Sequence, residues 1–115
     1  MARYTELAEN QRRAALESEG VTDPALRRAV FARSAELSGG PATAAVTAEE
    51  IPADLRKYVD TVVLHAYRIT DEDVQALRQA GYSEDVIFEV SVAASVGAGL
   101  ARLERGLGIL RGGAR

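Results

Sequence analysis

Cysteine is absent from the 115 residues. That excludes disulfides, thiolate nucleophiles and thiolate metal sites. Tryptophan is absent too, and aromatic residues make up 5%, so any core has to be assembled chiefly from Ala, Val and Leu. Ala is the best helix former, and Ala-rich faces let helices approach closely. Basic patches interleaved with aromatics are also lacking. With a net charge of -3 and a pI of about 5.2, the chain is not built to neutralise phosphates, and no nucleic-acid partner is expected. Arg3, Glu6 and Glu9 interrupt any apolar signal-peptide core, and no apolar run approaches the ~18 residues of a membrane span. A cytoplasmic location with no membrane partner is the resulting expectation. No glycine-rich phosphate loop follows a strand, Ser91 and Ser95 lack a nucleophile motif, and no cofactor or metal is expected.

What is present is apolar and helical. The hydrophobic fraction of 47% is too high for a disordered chain, and the length fits one domain, residues 1–115. Five helices are predicted. The first covers Ala2 to Ser18, with Tyr4, Leu7, Ala8, Ala15 and Leu16 as its less polar side, and ends at Gly20. The second starts at Thr22-Asp23-Pro24, where a capping side chain precedes a proline suited to the first helical position. Leu26, Val30 and Leu37 form its stripe, and Gly39-Gly40-Pro41 stops it. Residues 39–50 read as a flexible loop. The third runs from Pro52 to about Arg68, with Leu55, Val59, Val62, Val63 and Ala66 facing the core, Tyr58, His65 and Tyr67 at its edges, and Leu64 outward. The fourth opens on Thr70 and Asp73, a variant capping box, and closes at Gly81. The fifth is capped by Ser83 and is apolar nearly all round from Val86 to Leu100, continuing to Leu110. A helix without a polar side is expected to be buried on every side, and in so short a chain that requires a second subunit. Gly97 and Gly99 are read as close-packing positions. Arg102, Arg105, Arg111 and Arg115 complement the negative end of the last helix.

The run Ala76-Leu77-Arg78-Gln79-Ala80-Gly81-Tyr82-Ser83-Glu84-Asp85-Val86-Ile87-Phe88-Glu89 resembles a junction of the carboxymuconolactone decarboxylase/alkylhydroperoxidase-D superfamily, within a core spanning 51–111. The resemblance implies an all-α bundle of that kind, completed by homo-oligomerisation. Peroxidatic members carry a C-x-x-C pair and a histidine before the glycine. Here those positions fall on Ala66, Ile69 and Asp73, and the family's upstream glutamate falls near Asp54. Thiol peroxidase chemistry is therefore excluded. The decarboxylase branch needs no thiol, so a cofactor-free lyase or isomerase activity on a small lactone acid stays open, although no signature maps onto individual residues.

Two side chains are candidate catalytic groups. His65 is the one residue that normally titrates near neutrality. It is read either as a general base or as a half-buried histidine satisfied by a neighbour. Glu89 interrupts an apolar helix and must be hydrogen-bonded, paired or protonated. It is read either as a pocket acid or base or as half of an ion pair with an arginine such as Arg68 or Arg78. A pocket between the third and fifth helices would add Tyr58, Tyr67 and Asp73. Asp71, Glu72 and Asp73 diverge around one helical turn and suit a cap better than a metal. Two functions are carried forward. One is a non-peroxidatic, self-associating protein that binds a small apolar or weakly acidic molecule. The other is a non-catalytic accessory subunit or interaction module with a protein partner.

Overall fold

Three side-chain caps set most of the helix starts. In the computed structural model, which describes residues 2–17, 19–39 and 50–113, Asp23 accepts from the Ala25 N–H at 2.9 Å and α2 runs Pro24–Leu37. Thr70 and Asp73 form a complete capping box on α4, Asp71–Gln79. Ser83 accepts from the Val86 N–H on α5, Glu84–Gly108. The remaining helices are α1, Ala2–Glu17, and α3, Ala53–His65. The fold is all-helical, with no strand among the described residues. Ser18, residues 40–49 of the expected loop, Arg115 and the Tyr4 side chain lie outside the described residues. Gly39 and Gly81 stand at φ +90° and +106°, left-handed values that stop α2 and α4 and suit glycine.

The core is an α2–α5 contact with α3 laid against it. Ala29 and Val30 of α2, Val59 of α3 and Val90, Ala93 and Ala94 of α5 are all fully buried. Small residues set the spacing. A Cβ on Gly97 would lie 2.6 Å from the Phe31 carbonyl oxygen and 3.2 Å from Ser34 Cβ, so the two backbones touch there. Gly99 does not share this role, since a Cβ on it meets nothing within 4 Å. Ile51, just before α3, is buried as well.

Helix α3 ends earlier than its apolar pattern suggests. His65 leaves helical geometry at φ -146°, ψ 52°, and Ala66–Arg68 form a 3₁₀ turn. Ala66 is exposed rather than in the core, and Tyr67 is 78% exposed. Polar ties fix α3 against its neighbours. Arg33 and Asp60 make a two-pronged ion pair between α2 and α3 at 2.6 and 2.7 Å. That hydrogen bonding, ahead of the desolvation that opposes it, raises the Arg33 pKa. Arg102 of α5 donates to the Val63 carbonyl at 3.0 Å.

Candidate functional site

Glu89 occupies one flank of α5, where the turn from α1 to α2 passes. Its carboxylate accepts from the backbone N–H groups of Val21 at 2.8 Å and Thr22 at 3.0 Å, and from the Thr22 hydroxyl. The backbone presses so close that a Cβ on Gly20 would sit 2.5 Å from the carboxylate. Burial pulls the Glu89 pKa upward. The three hydrogen bonds and the nearby Arg27 charge outweigh it and hold the carboxyl below the usual glutamate value. Arg27 is itself 3% exposed and donates to the Ala15 carbonyl in the last turn of α1 at 3.3 Å. Glu89 is thus neither paired with Arg68 or Arg78 nor poised as a neutral acid. It is a latch for the α1–α2 turn. Arg78 pairs instead with Glu84 at 3.1 Å.

The other predicted site residues are not gathered around it. Tyr58 Oη lies 2.7 Å from Ser91 Oγ, and Ser91 donates to the Ile87 carbonyl, so the phenol donates and ties α3 to α5. Asp73 is spent in its cap, accepting from the Thr70 N–H at 2.9 Å. His65 is exposed and meets Tyr67 edge-on at 5.9 Å. It lines a shallow, open depression with Arg56, Lys57, Asp60 and Leu64. Asp54, near the family's glutamate position, accepts from the Tyr82 hydroxyl at 2.7 Å. Burial and that hydrogen bond raise the Tyr82 pKa. The expected pocket of His65, Tyr67, Asp73 and Glu89 is replaced by separate local contacts, because the bend at His65 turns the end of α3 outward.

Two features were not foreseen as such. One is a cavity of about 530 Å³ between α1, α2 and α5. Weak periodicity in α1 hid it, although Arg12 and Leu16 at i,i+4 and Arg28 and Phe31 at i,i+3 each mark a shared face. The other is the outer face of α5. Phe88, Val92, Ser95, Gly99 and Leu103 recur at three- and four-residue spacing opposite the buried Val90, Ala94 and Ala101. Phe88 is 67% exposed and Leu103 40%, so α5 is not buried on every side within one chain. The Glu84–Arg111 segment has a window of mean hydropathy 1.6. By length and composition it is apolar enough to cross a membrane, contrary to the expectation that no apolar run approaches that length. Central helices of globular folds share that property, and here 39% of the window is buried against the rest of the chain.

Comparison with known protein families, curated proteins and solved structures finds no match to this chain. The α4–Gly81–Ser83–α5 junction is formed as the sequence pattern requires, and it is a junction that many helical folds can make.

Proposed function

We propose that the chain is a helical self-assembly module in which two copies pair antiparallel along the outer face of α5. The observation that carries the reading is the palindromic layout of that face. Phe88 and Leu103 are large and exposed at its two ends, while Ser95 and Gly99 are small and exposed near its middle. A two-fold axis between Ser95 and Val96 sets Phe88 of one copy on Leu103 of the other and Val92 on Gly99, the self-complementarity a symmetric dimer needs. No charge interrupts the face between Phe88 and Ala101, since Glu89 is turned to the α1–α2 connection. The ends are complementary, with Asp85 in the first turn of α5 and Arg105 near its last, while Glu84 and Arg102 are held within the chain by Arg78 and the Val63 carbonyl. Antiparallel pairing brings Asp85 and Arg105 within about a turn of one another and opposes the helix dipoles.

Catalysis forms no part of the proposal, since His65, Tyr58, Asp73 and Glu89 do not converge. Self-association also does not depend on the superfamily resemblance of residues 76–89, because it rests on the α5 face alone. Sedimentation equilibrium of the wild type and of Gly99→Arg tests it. A Cβ at Gly99 meets nothing within 4 Å, and circular dichroism of the variant checks that its helices are retained. The expected result is a dimer for the wild type and a helical monomer for the variant. A wild-type monomer that stays in solution only with a co-expressed protein would favour an accessory subunit instead. Sedimentation with lipid vesicles alone would favour a bilayer as the occupant of this face.

A further inference from the structure

The cavity between α1, α2 and α5 has a size and a charge pattern that select a ligand. Its volume of about 530 Å³ falls within the ~300–1,000 Å³ typical of small-molecule sites. Leu16, Phe31, Leu100 and Leu107 give it apolar walls. Arg12, Arg28 and Arg111 line it against Glu9 and Glu104, an excess of cation in a chain whose net charge is -3. Glu9 is already engaged with Arg12 at 3.4 Å. The Arg12 guanidinium stands 5.7 Å over the Phe31 ring, and Arg28 precedes Phe31 by one turn on α2. Both arginines line the cavity that Phe31 walls. Arg28 and Arg111 have no ion-pair or hydrogen-bond partner among the described residues.

A guanidinium beside a desolvated apolar wall binds a carboxylate more strongly than one in open water, and it can do so through two parallel hydrogen bonds. An apolar body alone would gain nothing from the exposed arginines, and a cationic head would be repelled by them. We infer that this cavity is a binding site for an amphipathic monocarboxylate, an acid with an apolar body about the size of a medium-chain fatty acid. The acid group lies between Arg12 and Arg28, and the apolar body runs along Phe31 and Leu100 toward Leu107. The site lies on the flank of α5 that faces α1 and α2 and borders the Phe88–Leu103 face at Leu103, which lines both, so binding is read on the wild type and on the Gly99→Arg chain, and decanoate binding that persists in the latter separates the two readings.

Calorimetric titration of the full chain with decanoate, 1-decanol and decylammonium tests it. The expected result is one decanoate per chain, with decanol weaker by about tenfold or more and no decylammonium binding. In the double variant Arg12→Glu/Arg28→Glu, decanoate binding is lost and decylammonium binding appears. Equal affinity for decanoate and decanol, or unchanged decanoate binding in the double variant, would overturn it. Amide-shift mapping on the wild type needs no variant to fold. Decanoate should move Ala32, Gly97 and Leu100, whereas shifts confined elsewhere, or none at saturating decanoate, would refute the site.

Discussion

Glu89 and Thr22 are 67 residues apart in the chain and joined by two hydrogen bonds, one from the Thr22 N–H and one from its hydroxyl. With the Val21 N–H added, one carboxylate on α5 fixes the turn that carries α1 onto α2. This explains a charged residue in an otherwise apolar helix without recourse to catalysis. Its partners are two backbone N–H groups and one hydroxyl at a crowded turn.

Replacing Glu89 with Ala should therefore lower stability by about 2 kcal/mol, in the range for hydrogen bonds to a charged group. Thr22→Val removes the hydroxyl alone and should cost about 1 kcal/mol. Urea unfolding monitored by circular dichroism reads both. The pH dependence has a fixed sign. The folded-state pKa of Glu89 is depressed, so its contribution is fully present above the ordinary glutamate value and is lost as pH falls through the lower folded value. Glu89→Gln should flatten that acid limb. An unchanged limb in the variant would show that Glu89 is not the titrating latch.

Gly97 and Gly99 should respond to alanine in opposite directions. Gly97→Ala pushes a methyl into the Phe31 carbonyl and should cost about 1–3 kcal/mol through overpacking. Gly99→Ala meets open space and should stabilise the single chain by about 0.5–1 kcal/mol through helix propensity. Thermal melts at a dilution where the chain is monomeric separate the two. Equal effects would mean that α2 and α5 do not touch at Gly97.

The caps of α2, α4 and α5 were legible in the sequence because a capping side chain acts on backbone only a few residues away. The end of α3 was not. Ala66 continues the apolar stripe of Val62 and Val63 past the bend at His65, and no glycine or proline marks the stop. The destination of Glu89 was hidden for a related reason. A sequence displays candidate cations such as Arg68 and Arg78, whereas backbone N–H groups, the donors actually used, occur at nearly every position. The cavity flanked by Arg12 and Arg28 depends on how α1 leans on α2, which the mixed polarity of α1 does not specify. The apolar character of α5 was plain, but its division into a packed side and an outer side depended on how many neighbours one chain supplies.

The Arg33–Asp60 pair should show measurable coupling, because both side chains are partly shielded, at 25% and 31% exposed, and its geometry is two-pronged. A double-mutant cycle with Arg33→Ala and Asp60→Ala should give about 1 kcal/mol, at the upper end for pairs near the surface. Coupling near zero would leave α2–α3 packing to Val30 and Val59 alone.

His65 should be dispensable. His65→Ala removes an exposed ring whose contact is an edge-on meeting with Tyr67, and should shift stability by less than about 0.5 kcal/mol. It should also leave the sedimentation profile unchanged. A larger loss in unfolding free energy would indicate a buried role that its exposure does not suggest.

Because the chain has no cysteine, introduced thiols report on pairing without background. Ser95 lies beside the proposed two-fold axis, so Ser95→Cys should cross-link to itself on mild oxidation. In an antiparallel pair, two copies of Phe88→Cys stand about 22 Å apart along the helix at 1.5 Å per residue, beyond the ~7 Å Cα separation a disulfide spans. Phe88→Cys should thus cross-link to Leu103→Cys in a mixture and not to itself. Self-linked Phe88→Cys, or no linkage at any of the three positions, would contradict antiparallel assembly through α5.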